Sequence, residues 1–416
     1  MPGAAPLTGL PLADLPVTLE DVEAAHDLIR PVVRRTPLEP NRALSQRVDG
    51  QVYLKCENLQ RAGSFKIRGA YTRMARLSEA ERAAGVVAAS AGNHAQGVAL
   101  AAQLLGLAAK VFMPVGAPLP KVQATRNYGA DVEFSGTTVD EALVAARAWS
   151  GRTGAVLIHP FDHADIVAGQ GTVGLEILEQ CPDVGTVLVC TGGGGLLAGV
   201  AAAVRGRRPD VRVIGVQAER AAAYPGSLAA GHPLALAGMA TMADGIAVGC
   251  PGEVPFALVQ ALVDEVRTVS EEMISKALLF LLERAKLVVE PAGAAGVAAL
   301  LDGQFARSVR PPVVAVLSGG NIDPILMLRV IRHGMASAGR YLQFRMRVPD
   351  RPGSLAALLA LLAQAQVNVL EVEHARSGPR MSVDEVEIGL RLETQGHDHS
   401  DAVLSTLRAA GYPLQL

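Results

Sequence analysis

Two long stretches of the chain carry no Asp, Glu, Lys or Arg: Ala83 to Ala109 and Val184 to Val204. Runs of that length either cross a membrane or lie wholly inside a folded core. The first contains Asn93, His94, Gln96 and Gln103, and the second contains four consecutive glycines, so each reads as a buried strand, a turn and a helix packed on the strand. The pattern repeats to about residue 330. The apolar runs "QVYLKCE", "GVVAAS", "AAKVFMP", "ADVEFSG", "AVLIHP", "TVLVCTG", "VRVIGVQ" and "PPVVAVLSGG" alternate with longer, alanine-rich helical segments. Buried runs alternating with helices predict a largely parallel, doubly wound α/β sheet. Only 4% of the residues are aromatic although half are hydrophobic, so the helices must pack on small side chains.

With 416 residues the chain exceeds one compact core and predicts more than one domain. Its character changes after Arg332 to Arg340, "RHGMASAGR", a small and polar stretch that reads as a linker. "YLQFRMRV" then alternates, with Leu342, Phe344, Met346 and Val348 on one face. "DRPGSLAALLALLAQAQ" predicts a turn and a helix capped by Ser354. "VNVLEVEHAR", "DEVEIGLRLET", "DHSDAVLSTLRAAGY" and "PLQL" complete a βαββαβ order, the split βαβ of ferredoxin-like units. At the other end, Thr18 and the acids after it predict a capped helix. "MPGAAPLTGLPLADLP" before it has neither a basic start nor a long apolar core, and reads as a loose leader and not a signal peptide.

A net charge of −2 gives no general electrostatic case for nucleic acid or an anionic membrane. Cys56, Cys181, Cys190 and Cys250 have no metal-type spacing and form no CxxC pair, as expected of reduced cytosolic thiols. His94, His159 and His163 show neither HxxxH nor HExxH spacing, which leaves packing and hydrogen bonding as their expected work.

Ligands of doubly wound sheets sit where strands lead into helices, and here those turns are "SAGNHAQG", "TGGGGL" and "LSGGN". The tetraglycine Gly192, Gly193, Gly194 and Gly195 lets successive N–H groups turn onto an anion at a helix start, or else serves as a tight helix–sheet packing turn. No Gly-Lys-Ser/Thr follows it, and the GxGxxG spacing of a dinucleotide fingerprint is missing. Asn93 either caps a helix or bonds a ligand's phenolic oxygen, and Ser318 either begins a turn or offers a hydroxyl. The chain has 32 arginines but six lysines, and one of the six, Lys66, stands between Phe65 and Ile67 in "GSFKIRGA". A lysine in an apolar pocket loses its proton and becomes a nucleophile, which an arginine does not. An amine, an anion nest, an amide and a hydroxyl at strand ends are what pyridoxal phosphate requires.

"SFKIRGA", "SAGNHAQG", "TGGGGL" and "LSGGN" resemble the matching segments of fold-type II pyridoxal phosphate enzymes, and the chain more closely resembles the threonine ammonia-lyases (threonine dehydratases). "RRTPLE", "VYLKCENLQ", "PLPKVQATRNYGA", "GQGTVGLEI" and "ADGIAVG" extend the likeness from about Val17 to Gly334. "DRPGSL" and "VNVLEVEHAR" resemble an ACT domain, a small regulatory fold. The resemblance implies a catalytic domain over 1–335, with a smaller subdomain at about 55–155, and an ACT domain over 336–416. It implies that Lys66 carries the cofactor and removes the Cα proton of the substrate. Phe65 lies beside the ring, Asn93 bonds its 3-oxygen, Gly192 to Gly195 and the Leu196 amide cradle the phosphate, and Ser318 faces the pyridine nitrogen. Ser90, Ala91, Gly92 and His94 are implied to hold the substrate. Glu290 in "VVEPAGAA" is either an acid near the cofactor or a helix-start residue.

The implied reaction turns L-threonine into 2-oxobutanoate and ammonia, with L-serine a second substrate. The implied assembly is a cytoplasmic homotetramer with an amino-acid effector at the ACT unit, and a single such unit leans towards a catabolic duty. Ala91 replaces the serine of serine racemases, and Gln217, Ala221 and Ala223 stand where metal-dependent relatives hold a divalent ion, so no metal is expected. Two rival readings stand beside this one: a serine dehydratase or β-replacement enzyme of the same fold, and a catalytically dead amino-acid sensor.

Overall fold

The computed structural model describes residues 15–337, 339–376 and 383–415, and most of the expected leader lies outside them. The described chain divides into two compact units, Met1–Asp323 and Pro324–Leu416. No helix among the described residues is long and apolar enough to cross a membrane.

Among the described residues unit 1 contains ten strands: β1 (Leu38–Pro40), β2 (Val52–Lys55), β3 (Val86–Ala89), β4 (Ala109–Met113), β5 (Asp131–Phe134), β6 (Val156–Leu157), β7 (Thr186–Cys190), β8 (Arg212–Ala218), β9 (Glu265–Val269) and β10 (Val313–Val316). They form a six-stranded sheet, β1-β2-β10-β7-β8-β9, and a four-stranded one, β5-β4-β3-β6. All pairings are parallel except β1 with β2. Each run read as a strand is one. The sequence reading missed β1 and β9, whose "LEP" and "EVRTV" lack a continuous apolar run because they lie at the sheet's edges. The two charge-free stretches become β3 with the helix Asn93–Leu105 and β7 with the helix Gly195–Arg207.

Helix starts differ in how they are capped. Thr18, Ser78 and Thr138 each close a full capping box. The helices Lys66–Ala75, Asn93–Leu105, Gly195–Arg207 and Pro291–Leu301 have no side-chain cap, so their first-turn N–H groups and dipole ends are left for something else. Two of them, Asn93–Leu105 and Gly195–Arg207, follow the turns "SAGNHAQG" and "TGGGGL"; the other two begin at Lys66 and directly after Glu290.

A buried ionic cluster anchors the first of them. Arg68 meets Glu57 with Nε and Nη2, both at 2.8 Å, and Glu176 with Nη1 at 2.7 Å. Lys55 donates to Glu176 at 2.5 Å. All four side chains are buried. Each charge faces an opposite one in good geometry, which is the condition for tolerating them in a core.

Unit 2 contains β11 (Tyr341–Pro349), β12 (Asn368–Ala375), β13 (Glu385–Glu393) and β14 (Leu414–Gln415) in the antiparallel order β12-β13-β11-β14. With the helices Ser354–Gln364 and His397–Ala409 this is the expected βαββαβ unit. Phe344, Met346 and Val348 are buried against Val386, Ile388, Leu390 and Leu392. Two expectations fail here. The stretch read as a linker belongs mostly to the helix Pro324–Ser337, whose Ile, Leu and Met positions outweigh the small residues at its end. Ser354 is the first helical residue and not the cap, because Gly353, at φ 92°, turns the chain into the helix.

Candidate active site

Lys66 opens its helix at the end of β10. Phe65 donates its N–H to the Ser318 carbonyl at 3.1 Å, and Ser64 bridges to Gly319. The Lys66 Nζ donates to the Pro160 carbonyl at 2.8 Å and lies 5.2 Å from the centre of the Phe65 ring. Burial pulls its pKa down from 10.5 to about 8, against the opposing pull of Cys190 and Glu290. A sizeable fraction of the amine is therefore neutral near physiological pH.

Across from it, Asn93 donates Nδ2 to Glu290 Oε1 at 2.6 Å, and its Oδ1 accepts from Asn321 Nδ2 at 2.8 Å. Asn321 is itself fixed by the Ala62 carbonyl at 2.7 Å, so the orientation of the Asn93 amide is dictated by a backbone group. An amide nitrogen has two hydrogens, so Asn93 keeps one for a ligand. Glu290 stands at the start of the helix Pro291–Leu301 but its side chain does not cap it. Its side chain is 2% exposed, Oε2 has no partner, and burial with the nearby Asp244 pushes its carboxyl up to about 7.

The tetraglycine follows β7, and Gly194 at φ 97° starts the uncapped helix. A Cβ on Gly193 would lie 2.5 Å from the Phe161 ring, and one on Gly194 would run into the Tyr224 hydroxyl. Packing alone thus demands glycine, as the packing-turn reading expects: protein fills the side-chain directions, while the first turn of the helix behind Gly194 has no side-chain cap. The Gly193 carbonyl is held by the Tyr224 hydroxyl at 3.3 Å and the Gly252 amide at 3.2 Å. Leu196 is buried in the first turn. Ser318 is 2% exposed and lies beside the Cys190 thiol of the neighbouring strand.

In the turn after β3, the Ser90 hydroxyl accepts from the Gly92 amide at 3.0 Å, and Ala91 is partly exposed. Gly92 is different from the other site glycines: the only atom within 4 Å of an added Cβ would be Lys121 Nζ, at 3.8 Å. One nitrogen of the His94 imidazole is taken by the backbone. Its Nε2 sits 2.8 Å from the Ile158 carbonyl, which can only accept, and burial drives its pKa to about 3. Lys121, Asp244, Asn321, Phe161 and Tyr224 were not singled out in the sequence as site residues, for each makes its contact only through the fold.

Gln217 bridges its own loop, with Oε1 accepting from the Tyr224 amide at 3.0 Å and Nε2 donating to the Ala221 carbonyl at 3.5 Å. Among the described residues no group of three or more His, Cys, Asp and Glu is placed to hold a metal ion. The remaining donors suit pyridoxal phosphate: a partly neutral amine, a free amide N–H, a buried hydroxyl, uncapped helix amides beside a glycine turn, and a carboxyl with an orphaned oxygen.

Residues 29–319 match the family model described as pyridoxal-phosphate dependent enzyme, and residues 343–411 match the ACT domain. The chain is 48% identical to the L-threonine ammonia-lyase of Thermotoga maritima, across 96% of this chain and 99% of that one. The chain belongs to the threonine ammonia-lyase family of pyridoxal-phosphate dependent enzymes.

A second threonine ammonia-lyase, from Geobacter sulfurreducens, is 45% identical over 96% of this chain and 98% of its own. Among solved structures, a tomato (Solanum lycopersicum) threonine deaminase superposes with a TM-score of 0.74 at 38% identity, covering 80% of this chain and 93% of that one. Maize serine racemase superposes with a TM-score of 0.72 at 34% identity, covering 77% and 98%. Threonine ammonia-lyases and racemases therefore share the frame, and the residues lining the turns must separate their reactions.

Proposed function

We propose that the protein deaminates L-threonine to 2-oxobutanoate and ammonia with pyridoxal phosphate, and acts on L-serine as a second substrate. The observation that carries this reading is the partly neutral Lys66 amine facing the Asn93–Glu290 pair and flanked by uncapped helix starts. Lys66 would hold the cofactor until the substrate's amine takes its place, and the cofactor would then supply the electron sink that makes the substrate's Cα–H acidic. Lys66 serves as the base for that proton, and the Pro160 carbonyl accepts from its amine and orients it. Asn93 places one N–H at the ring's 3-oxygen while Glu290 holds the other. The amides behind Gly194 receive the phosphate, and Phe65 borders the ring.

Ser318 offers the ring nitrogen a hydroxyl and not a carboxylate, so no anion holds a proton there. That favours prompt loss of the β-hydroxyl over longer-lived carbanion chemistry such as transamination. The Ser90–Gly92 turn and the His94 amide hold the amino acid. A pocket that distinguishes threonine from serine by one methyl group discriminates by only about 1–3 kcal/mol, so preference and not exclusion is expected. The ACT unit supports regulation by an amino acid, and the assembly is proposed to be a cytoplasmic homotetramer, a state light scattering on the purified protein measures.

The deciding experiment is 2-oxobutanoate formation from L-threonine by the wild type and Lys66→Ala, each supplied with pyridoxal phosphate. Turnover that vanishes in the variant supports the reading. A cofactor-loaded wild type that yields no oxo acid from threonine or serine overturns it and leaves the amino-acid sensor as the better account.

A further inference from the structure

Lys121 stands on the helix Leu119–Asn127 beside the four-stranded sheet. Its Nζ donates to Asp244 Oδ2 at 2.5 Å. Asp244 opens the short turn Asp244–Ile246, which packs on the helix Pro291–Leu301 of the six-stranded layer. The pair thus joins the two layers of unit 1 at the rim of the site. It is unequal: the Lys121 side chain is 9% exposed and that of Asp244 is 56% exposed. The aspartate is open to water, and the lysine is almost covered.

What the ammonium faces is the space above Gly92. Gly193 and Gly194 press against protein, but the side-chain direction of Gly92 is open, with Lys121 Nζ at its border. Gly92 also begins the uncapped helix Asn93–Leu105, whose first-turn amides point the same kind of charge at a ligand. An open space lined by a positive helix end and a buried ammonium is complementary to a carboxylate.

We propose that Lys121 is the cation that receives the α-carboxylate of the amino-acid substrate, and that Asp244 holds it in place from the solvent side. The inference rests on the lyase reading and names a recognition group for it. Asp244 relieves the cost of an unpaired buried ammonium when no substrate is bound. Because it lies at the surface, water screens its competition with an incoming carboxylate.

The test uses the holoenzyme and two ligands without a β-leaving group, L-alanine and L-alaninamide, with binding read from the change in cofactor absorption. Lys121→Met should weaken alanine about tenfold, the effect expected of one charge-assisted contact, and should change alaninamide little. Asp244→Asn should bind alanine as well as the wild type or better, since it frees the ammonium. If Lys121→Met weakens both ligands equally, or if Asp244→Asn weakens alanine as much as Lys121→Met does, the pair is a strut and the proposal fails. Lys121→Arg keeps the charge and should keep the preference for alanine over alaninamide; its loss would also count against the proposal. Absent threonine turnover in the wild type would sink the lyase reading instead, and leaves the comparison of the two ligands readable.

Discussion

Asn93 and Glu290 lie 197 positions apart in the chain and share a 2.6 Å hydrogen bond in which the amide donates to the carboxyl. The bond joins the starts of two uncapped helices, one over each sheet. Burial, then Asp244, pushes the Glu290 carboxyl from 4.5 up to about 7. The folded protein thus holds this proton more tightly than the unfolded chain does. Folding carries no penalty from it below about pH 4.5; the penalty grows between 4.5 and 7 and is complete above 7. Glu290→Gln keeps an acceptor for Asn93 and removes the charge. Relative to wild type, the cofactor-free variant should gain roughly 1–3 kcal/mol more at pH 8 than at pH 5. Urea unfolding at both pH values measures this, and an equal difference at both would refute the buried-charge account.

Lys66 should titrate near 8 and not at 10.5, because burial disfavours its charged form. Competitive acetylation of cofactor-free protein, followed residue by residue with mass spectrometry, should show half-maximal reactivity of this amine near pH 8. A midpoint at or above 10 would mean that Glu290 and Cys190 outweigh burial.

Arg68 lies two residues beyond Lys66 and is buried between Glu57 and Glu176. Arg68→Met fills a similar volume but strands one carboxylate and half-strands the other. It should cost about 3–5 kcal/mol of unfolding free energy. A loss below about 1 kcal/mol in denaturant titration would show that water or Lys55 compensates.

Gly194 and Gly92 should respond to alanine in opposite ways. At Gly194 the left-handed backbone and the Tyr224 hydroxyl both exclude a Cβ, so the turn must shift and cofactor affinity should fall. At Gly92 the side-chain direction is open, so fold and cofactor binding should survive. The added methyl instead enters the proposed substrate space and should raise the KM for threonine roughly tenfold. Cofactor titration and steady-state kinetics separate the two effects.

Ser318→Asp would place a carboxylate where a buried hydroxyl now meets Cys190. It should increase the share of turnovers that end in aminated cofactor instead of oxo acid. An unchanged partition between those products would count against the role given to Ser318.

The sequence by itself determined the parallel α/β frame, because a strand buried on both faces must be a continuous apolar run, as at "TVLVC" and "VVAAS". It determined the βαββαβ unit for the complementary reason: a sheet with one covered face must alternate, as from Phe344 to Val348. Lys66, Asn93, the tetraglycine and Ser318 stood out as candidates because special chemistry at a strand-to-helix turn needs particular residue types locally. Edge strands β1 and β9 escaped, since half-exposed short strands need no apolar run. The fate of His94 escaped as well, for its ring is spent on the Ile158 carbonyl. Only tertiary structure could show that Glu290 turns from its own helix to Asn93, that Asn321 sets the Asn93 amide, and that Lys121 and Asp244 meet beside Gly92. Each of these is a contact between segments 120 or more residues apart, where local sequence exerts no constraint and packing of the two layers decides which charges face each other.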